Sequence, residues 1–395
     1  MTPRFPVRFA SLLAMALVAA GCGVQASSET DAMTPAFQPA VTIYATNPPA
    51  QASPEASPTV PATSLPQAAV TETPQPDDGS INPFTGLRMG DPAVLDRVPM
   101  LVKVANTPDV RPQHGLDQAD VVVEHYSEGG ITRYTALYLT HAPDRVGSVR
   151  SCRLIDIELP RMFGAGLVCS GTSPGVKPTL RASWLFDENR PGDVNASVVM
   201  ISDLGPFECP TCPMFRTSDR VPPHNLFANL PNAWREMTER DKNQRTPFDS
   251  WQFNLAPPNG GSAASQIEIP FTSGPVSWRY AAPEGVWERS IDGAPYVDAK
   301  TGKPLTATNI LVVYAHHAVT GIQEDVTGAR SIQIQIWGDG PLKVFRDGRM
   351  VEGKWRRPEE PNVFELVDAD GAEIALKPGT TWIEVVPLDF EVFTR

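Results

Sequence analysis

Apolar and polar positions along this chain group mostly into short runs, and extended helical periods are rare. Three β-branched or aromatic runs, at residues 100–105, 119–126 and 132–140, are bounded by Pro, Gly and Asp and predict strands. Residues 167–170 and 197–201 are further buried-strand candidates, whereas 155–163 and 177–185 are helix candidates. The clearest helix covers 231–241, with Asn229 or Asn232 as its cap and Trp234 and Met237 on one face. After Pro247 the helical periods vanish and Asp-Gly pairs punctuate the chain at 292–293, 339–340, 347–348 and 370–371. Strand-like runs lie between and around them, at 276–281, 310–314, 331–337, 342–345, 363–367 and 381–386. Asp-Gly between such runs is a strong hairpin signal, because both central turn residues take positive φ.

The expected fold class is therefore α+β. A mixed α/β subdomain over 81–250 precedes a mostly antiparallel β subdomain over 266–395, with the boundary in the Pro/Gly/Ser stretch 256–265. About 315 residues exceed a typical single core, which agrees with two subdomains. Strand order does not follow from these patterns.

The amino terminus reads differently. Arg4 and Arg8 precede an apolar stretch over 9–20, and Ala19-Ala20-Gly21-Cys22 closes it. A charged region, a short apolar core and a small-residue cleavage site make 1–21 an export signal, too short to span a bilayer as a helix. The cysteine after the small residues resembles the lipid-attachment site of bacterial lipoprotein precursors, with Ala19 where Leu is usual. That resemblance implies cleavage before Cys22, its acylation, and palmitate-type anchoring to the outer face of the cytoplasmic membrane. Stable anchoring needs more than one acyl chain, which this modification supplies. From residue 23 to about 80 the chain is Pro, Ala, Thr and Ser with isolated Phe37, Ile43 and Tyr44. Such a segment cannot offset its ordering entropy and is expected to be a disordered tether, spanning on the order of 40 Å. Net charge is −12 and becomes more negative once Arg4 and Arg8 leave with the signal. An acidic exported body is a poor nucleic-acid binder, because phosphate contacts need clustered Lys and Arg.

Four cysteines remain after Cys22: Cys152, Cys169, Cys209 and Cys212. An even count in an oxidising space favours disulfides, and 152–169 with 209–212 is the simplest pairing. Cys209-Pro-Thr-Cys212 also has the spacing of a zinc half-site or redox motif. A four-thiolate site would need Cys152 and Cys169, which lack paired spacing, and a redox cysteine favours a helix N-terminus. No His-Glu-x-x-His or calcium-loop pattern occurs, and adjacent His316 and His317 face opposite sides of a strand. Neither a metal nor another cofactor is expected.

Four polar clusters fall at turns and strand ends. They are Arg111-Pro-Gln-His114 leading to Glu124, the run EGGITR from Glu128 to Arg133, GSVRSCR from Gly147 to Arg153, and SDRVPPHN from Ser218 to Asn225. Together with Ala119-Asp120, Gly171, Ser173-Pro174 and Leu226, these motifs resemble the YerB-like family of bacterial lipoproteins. The resemblance continues through Trp287-Glu-Arg289, Asp298, Thr308-Asn309, Gly338-Asp-Gly340, Asp347-Gly348, Trp355 and the run from Pro378 to Pro387. Cys152 and His125 depart from the small and apolar residues expected there. The resemblance implies a lipid-anchored envelope protein with a two-part domain of unknown function, and carries no reaction with it.

On physical grounds the clusters admit three readings. Glu124 and Glu128 are candidate acid–base carboxylates, with His224 as a further catalytic candidate. For the histidine, Asp219 is the candidate orienter and Ser170 or Ser173 the candidate nucleophile, without a Gly-x-Ser-x-Gly elbow. The candidate binding set is Arg111, Glu128, Arg133, Arg150, Arg153, Asp219, His224 and Asn225, since guanidinium forks suit carboxylate or phosphate. The bland reading is a structural network in which those arginines neutralise the glutamates. Trp251, Trp278, Trp287, Trp337, Trp355 and Trp382 read as core, with a sugar-stacking platform as the alternative. The leading expectation is a membrane-anchored protein that binds a polar or anionic cell-wall component or an envelope protein. A cell-wall hydrolase and a pure scaffold are the alternatives.

Overall fold

The computed structural model describes residues 79–183, 185, 199–201, 206–258, 260–358 and 362–395. The signal 1–21, the lipid site Cys22 and the tether up to its last two residues lie outside the described residues. Among the described residues, no helix is long and apolar enough to cross a membrane.

Strands dominate, and the helices are few and short. The first half of the chain supplies β1 (Met100–Ala105), β2 (Val121–Tyr126), β3 (Thr132–Tyr138), β4 (Gly166–Cys169) and β5 (Val199–Ile201). A second sheet begins with β6 (Gln266–Ile269), β7 (Val276–Ala281) and β8 (Val286–Ile291). The chain then supplies β9 (Asn309–Gln323), β10 (Arg330–Gln335), β11 (Gly338–Arg346), β12 (Arg349–Arg357), β13 (Glu365–Val367) and β14 (Thr381–Pro387). It closes with β15 (Phe393–Thr394), which pairs with β6.

Both halves build one twelve-stranded sheet, in the order β13-β12-β11-β9-β14-β2-β3-β1-β4-β5, with β10 and Ser262–Ala263 attached at the side. β14 joins the halves, lying parallel to β9 on one flank and to β2 on the other. Within the second half the β9–β14 pair is parallel, while the pairs among β6, β7, β8 and β15 and among β9, β10, β11, β12 and β13 are antiparallel. All but the last residue of β14 is buried, as expected of a central parallel strand covered on both faces.

The sheet separates two apolar layers. On one face Val102, Tyr134 and Trp382 pack with Trp278 and Trp287 of the second sheet and with Trp234. On the other, Leu101, Leu137, Leu311 and Ile383 pack with Phe163, Trp251 and Phe364. Five of the six candidate tryptophans are core residues, while Trp337 is partly exposed.

Helix α1 (Leu159–Met162) is a single turn after a 3-10 turn at Leu154–Ile157, and α2 (Lys177–Ala182) is scarcely longer. Helix α3 (Leu230–Glu239) carries the expected cap, the Asn229 side chain accepting the Asn232 N–H at 3.0 Å. Asp292-Gly293 and Asp347-Gly348 form the expected turns, with φ of 53° and 75° in the first and 53° and 66° in the second. Asp339-Gly340 instead lies inside β11. A Cβ on Gly340 would come within 2.6 Å of both Trp355 Nε1 and the Tyr314 carbonyl, so glycine there admits the indole hydrogen bond between them. At Asp370-Gly371 only the glycine has positive φ. Cys152 is bonded to Cys169 and Cys209 to Cys212, with Cα atoms 5.7 and 5.5 Å apart.

Candidate functional site

Strands β1, β2, β4, β5, β9 and β14 run in one direction, so their carboxy ends share one edge of the sheet. Ligand sites in sheets with parallel strands form at that edge. Asn106 follows β1, Ser127 and Glu128 follow β2, and the antiparallel β3 begins there with Thr132 and Arg133. The segment carrying Arg150 and Arg153 is tied across the same edge. Its Val149 bridges Val104, and the Arg150 N–H donates to the Lys103 carbonyl at 3.1 Å. The Cys152–Cys169 bond and the Cys152 N–H donated to the Gly171 carbonyl anchor it to the loop after β4.

At this edge Glu128 accepts a two-pronged bond from Arg153, Nε lying 2.5 Å from Oε2 and Nη2 reaching Oε1. Ser127 Oγ also donates to it, and Arg133 Nη2 stands 3.4 Å away. Burial alone would raise the Glu128 pKa, but the Arg153 bonds and the charges of Arg153 and Arg133 outweigh it. The carboxyl is held far below its ordinary range. Burial, reinforced by the like charge of Arg153, brings Arg133 down to about 10, still a cation at neutral pH.

Beneath them Lys103 is fully buried on β1, on the same face as His125, Arg133 and Thr135. Its Nζ meets His125 Nε2 at 2.7 Å, Thr135 Oγ1 at 3.1 Å and Asp156 Oδ1 at 2.7 Å. Burial lowers its pKa to about 8 against the pull of Asp156. His125 is pushed well below its usual value by burial and then by the Lys103 charge. We assign its proton to Nδ1, which lies 2.9 Å from the Tyr126 carbonyl, leaving Nε2 to accept from Lys103. Asp156 Oδ2 accepts the Arg153 N–H at 2.6 Å, so the Lys103 charge supports the residue that holds Glu128.

His224 belongs to the same neighbourhood. Burial lowers its pKa against the charge of Asp109, with Arg150 and Arg133 adding to the decrease. Its partner is Asp109, Nε2 to Oδ2 at 3.1 Å, rather than Asp219, which pairs with Arg145 at 2.6 Å. No serine reaches the ring: His224 Nδ1 has no partner among the described residues, and Ser173 Oγ accepts the Val176 N–H at 3.2 Å. Asn225 is a loop brace, accepting from Arg216 Nη1 at 2.7 Å and donating to the Thr217 carbonyl at 3.0 Å. Arg111 is a clasp between chain halves, donating to Asn106 Oδ1 and to the Asn106 and Ser273 carbonyls, each at 3.0 Å.

Glu124 lies elsewhere, because alternation along β2 turns it to the opposite face. Register sets Glu124 beside Glu384 of β14, two carboxylates on neighbouring strands in the interior. Arg289 of β8 bridges them, at 2.5 Å to Glu124 and 2.9 Å to Glu384. Its guanidinium carbon stands 4.4 Å from the Trp382 ring centre and 5.0 Å from that of Trp278. Burial first, then the Glu124 charge, pushes Glu384 up to about 8. Glu124 and Glu128 therefore do not converge on one reacting atom.

Sequence reasoning passed over Lys103, Asp109, Asp156, Arg289 as a charge partner, Glu324 and Glu384. Two of these carry a local sign, a lone charge inside an apolar strand: Lys103 in MLVKVA and Glu384 in TWIEVVP. A depression of about 440 Å³ lies on another part of the surface, lined by His114, Arg145, Cys209, Phe215 and Lys300 among others, and includes none of the edge residues. Among the described residues, no group of three His, Cys, Asp or Glu side chains could hold a metal ion.

Two family models match, described as the N-terminal and C-terminal domains of a protein of unknown function (DUF3048), over residues 84–243 and 267–383. The chain belongs to the DUF3048, YerB-like family. It is 29% identical over 309 residues to a Bacillus subtilis (strain 168) protein named "Putative lipoprotein YerB", covering 77% of this chain and 86% of that one. The crystal structure of the Bacillus subtilis YerB protein superposes with a TM-score of 0.65 at 28% identity, over 79% of this chain and 99% of that one. In this DUF3048 protein the edge draws Glu128, Arg133, Arg150, Arg153 and His224 from the first matched segment and Glu324 from the second.

Proposed function

We propose that this family member is an exported, lipid-anchored envelope protein whose folded body binds a carboxylate- or phosphate-bearing envelope ligand at the edge of its central sheet. The observation that carries this is the convergence of Arg133, Arg150 and Arg153, with His224 beside them, where the parallel strands end. Among the described residues Arg133 uses two of its N–H groups, on Ser127 Oγ at 3.3 Å and on Glu128, so its fork retains donors for a ligand. The export signal and Cys22 support the anchor, as does the word lipoprotein in the name of the Bacillus subtilis relative.

Acid–base hydrolysis has less support. A general acid must hold a proton near neutral pH, and Glu128 is pinned as a carboxylate between two guanidiniums. Glu124 is sealed against Arg289 on the other face.

The test is sedimentation of the purified protein with cell-wall fragments, with inorganic phosphate and citrate as competitors. Retention that either anion reverses, with no fragment cleaved, is the expected result. Cleavage of the fragments would favour the hydrolase, and no retention would leave the scaffold. Labelling with palmitate, lost in Cys22→Ser, tests the anchor separately.

A further inference from the structure

Strand β9 outlasts its neighbours. It pairs with β14 over residues 309–315 and with β11 over 310–313, and beyond that only with β10, from His316↔Gln335 to Gln323↔Arg330. Its outer half is thus a two-stranded ribbon, marginal in water unless it packs on something. It folds over the cation edge. A Cβ on Gly175 would meet Ile322 Cγ2 at 2.6 Å, so glycine in the loop after β4 lets the ribbon approach this closely. Past the ribbon's last β9 residue comes Glu324, whose side chain is 1% exposed and whose Oε1 lies 3.8 Å from Arg153 Nε. Neither Glu324 oxygen has a hydrogen-bond partner among the described residues. Buried carboxylates normally have several, and one without them is costly to keep dry. Arg153 already gives its fork to Glu128, so it offers Glu324 charge without a bond.

We infer that the β9–β10 ribbon is a strap that closes the cation edge with a carboxylate of its own, Glu324, and yields that place to the anionic group of the ligand. The inference rests on the binding reading above and adds how access to the site is controlled. Closure combines apolar packing with one electrostatic contact that lacks hydrogen bonds, so an incoming carboxylate or phosphate that bonds the guanidiniums directly outcompetes it. The register shift between Val319 and Gln323 falls where such a strap would flex.

The experiment uses the full chain and its Glu324→Gln variant, with two readouts. Hydrogen exchange of amides in 316–323 and 330–335 should quicken about tenfold in the variant, and titration with inorganic phosphate or citrate should show about tenfold tighter binding, as a site relieved of a closed state does. Glu324→Ala should move both in the same direction. Equal affinity in wild type and variants overturns the strap while leaving the binding site standing. If no protein binds either anion, the binding reading fails, and exchange alone judges the strap: unchanged rates overturn it and faster rates uphold it.

Discussion

Glu124 and Glu128 stand four positions apart in sequence, yet the sheet gives them opposite circumstances. Glu124 points into the layer between the two sheets, fully buried, with Arg289 against it and Glu384 alongside. Glu128 sits past the end of the same strand, part-exposed, gripped by Arg153 and approached by Arg133. Both are carboxylates facing arginine. Glu124 already accepts from Arg289, Thr132 and Asn106, so both of its oxygens are engaged within the protein. The one at the rim lies beside Arg133, which among the described residues bonds through Nε and Nη2 alone. Completeness of burial, more than residue type, separates a structural ion pair from a binding edge.

The largest effect should come from breaking the sealed side. Arg289→Met leaves Glu124 and Glu384 buried without their shared cation, and loss of one partner of a buried pair costs about 3–5 kcal/mol. Urea denaturation should show it, and a change below about 1 kcal/mol would mean the interior is wetter than the geometry states. At the rim, Glu128→Gln should cost about 1.5–3 kcal/mol at neutral pH, the range for hydrogen bonds to charged groups. The folded pKa of Glu128 is depressed, so its stabilisation is present above the ordinary carboxylate range and is lost as pH falls below it. The gap between wild type and Glu128→Gln should accordingly narrow below about pH 4.5. Glu384 behaves oppositely. Its folded pKa is raised to about 8, so the folded state holds that proton more tightly than the unfolded chain does. Stability from this group is present at low pH and declines as pH rises from about 4.5 towards 8, by at most about 1.4 kcal/mol per pH unit. Glu384→Gln should remove that decline. The comparison must be wild type against variant, because burial lowers His114 to about 4 and it contributes the reverse slope at the acid end.

Much of this was legible locally. Asn229 capped the best helix as its side chain requires, and two of the four Asp-Gly pairs made the turns that positive φ at both positions allows. The edge motifs also stood out, since Arg, Glu and His clustered at strand ends. Less legible was anything that depends on which strands become neighbours. Arg289 and Glu124 are separated by 165 residues, and no spacing rule links them. The same holds for β14, whose place between the halves follows from its burial on both faces. Asp339-Gly340 misled because its glycine serves an indole packed against it rather than a turn. Nearness in sequence points His224 to Asp219, while Asp109 supplies the partner from over a hundred residues away.

The central claim is that the rim of the sheet is an anion site built from the arginines that converge there. Calorimetric titration of inorganic phosphate and citrate into the wild-type protein and into Arg133→Ala/Arg150→Ala tests it most directly. The account predicts saturable binding of at least one anion by the wild type and at least tenfold weaker binding by the variant, about 1.4 kcal/mol, with the far-ultraviolet circular dichroism unchanged. Equal affinity in both proteins, or no binding by the wild type, would contradict it.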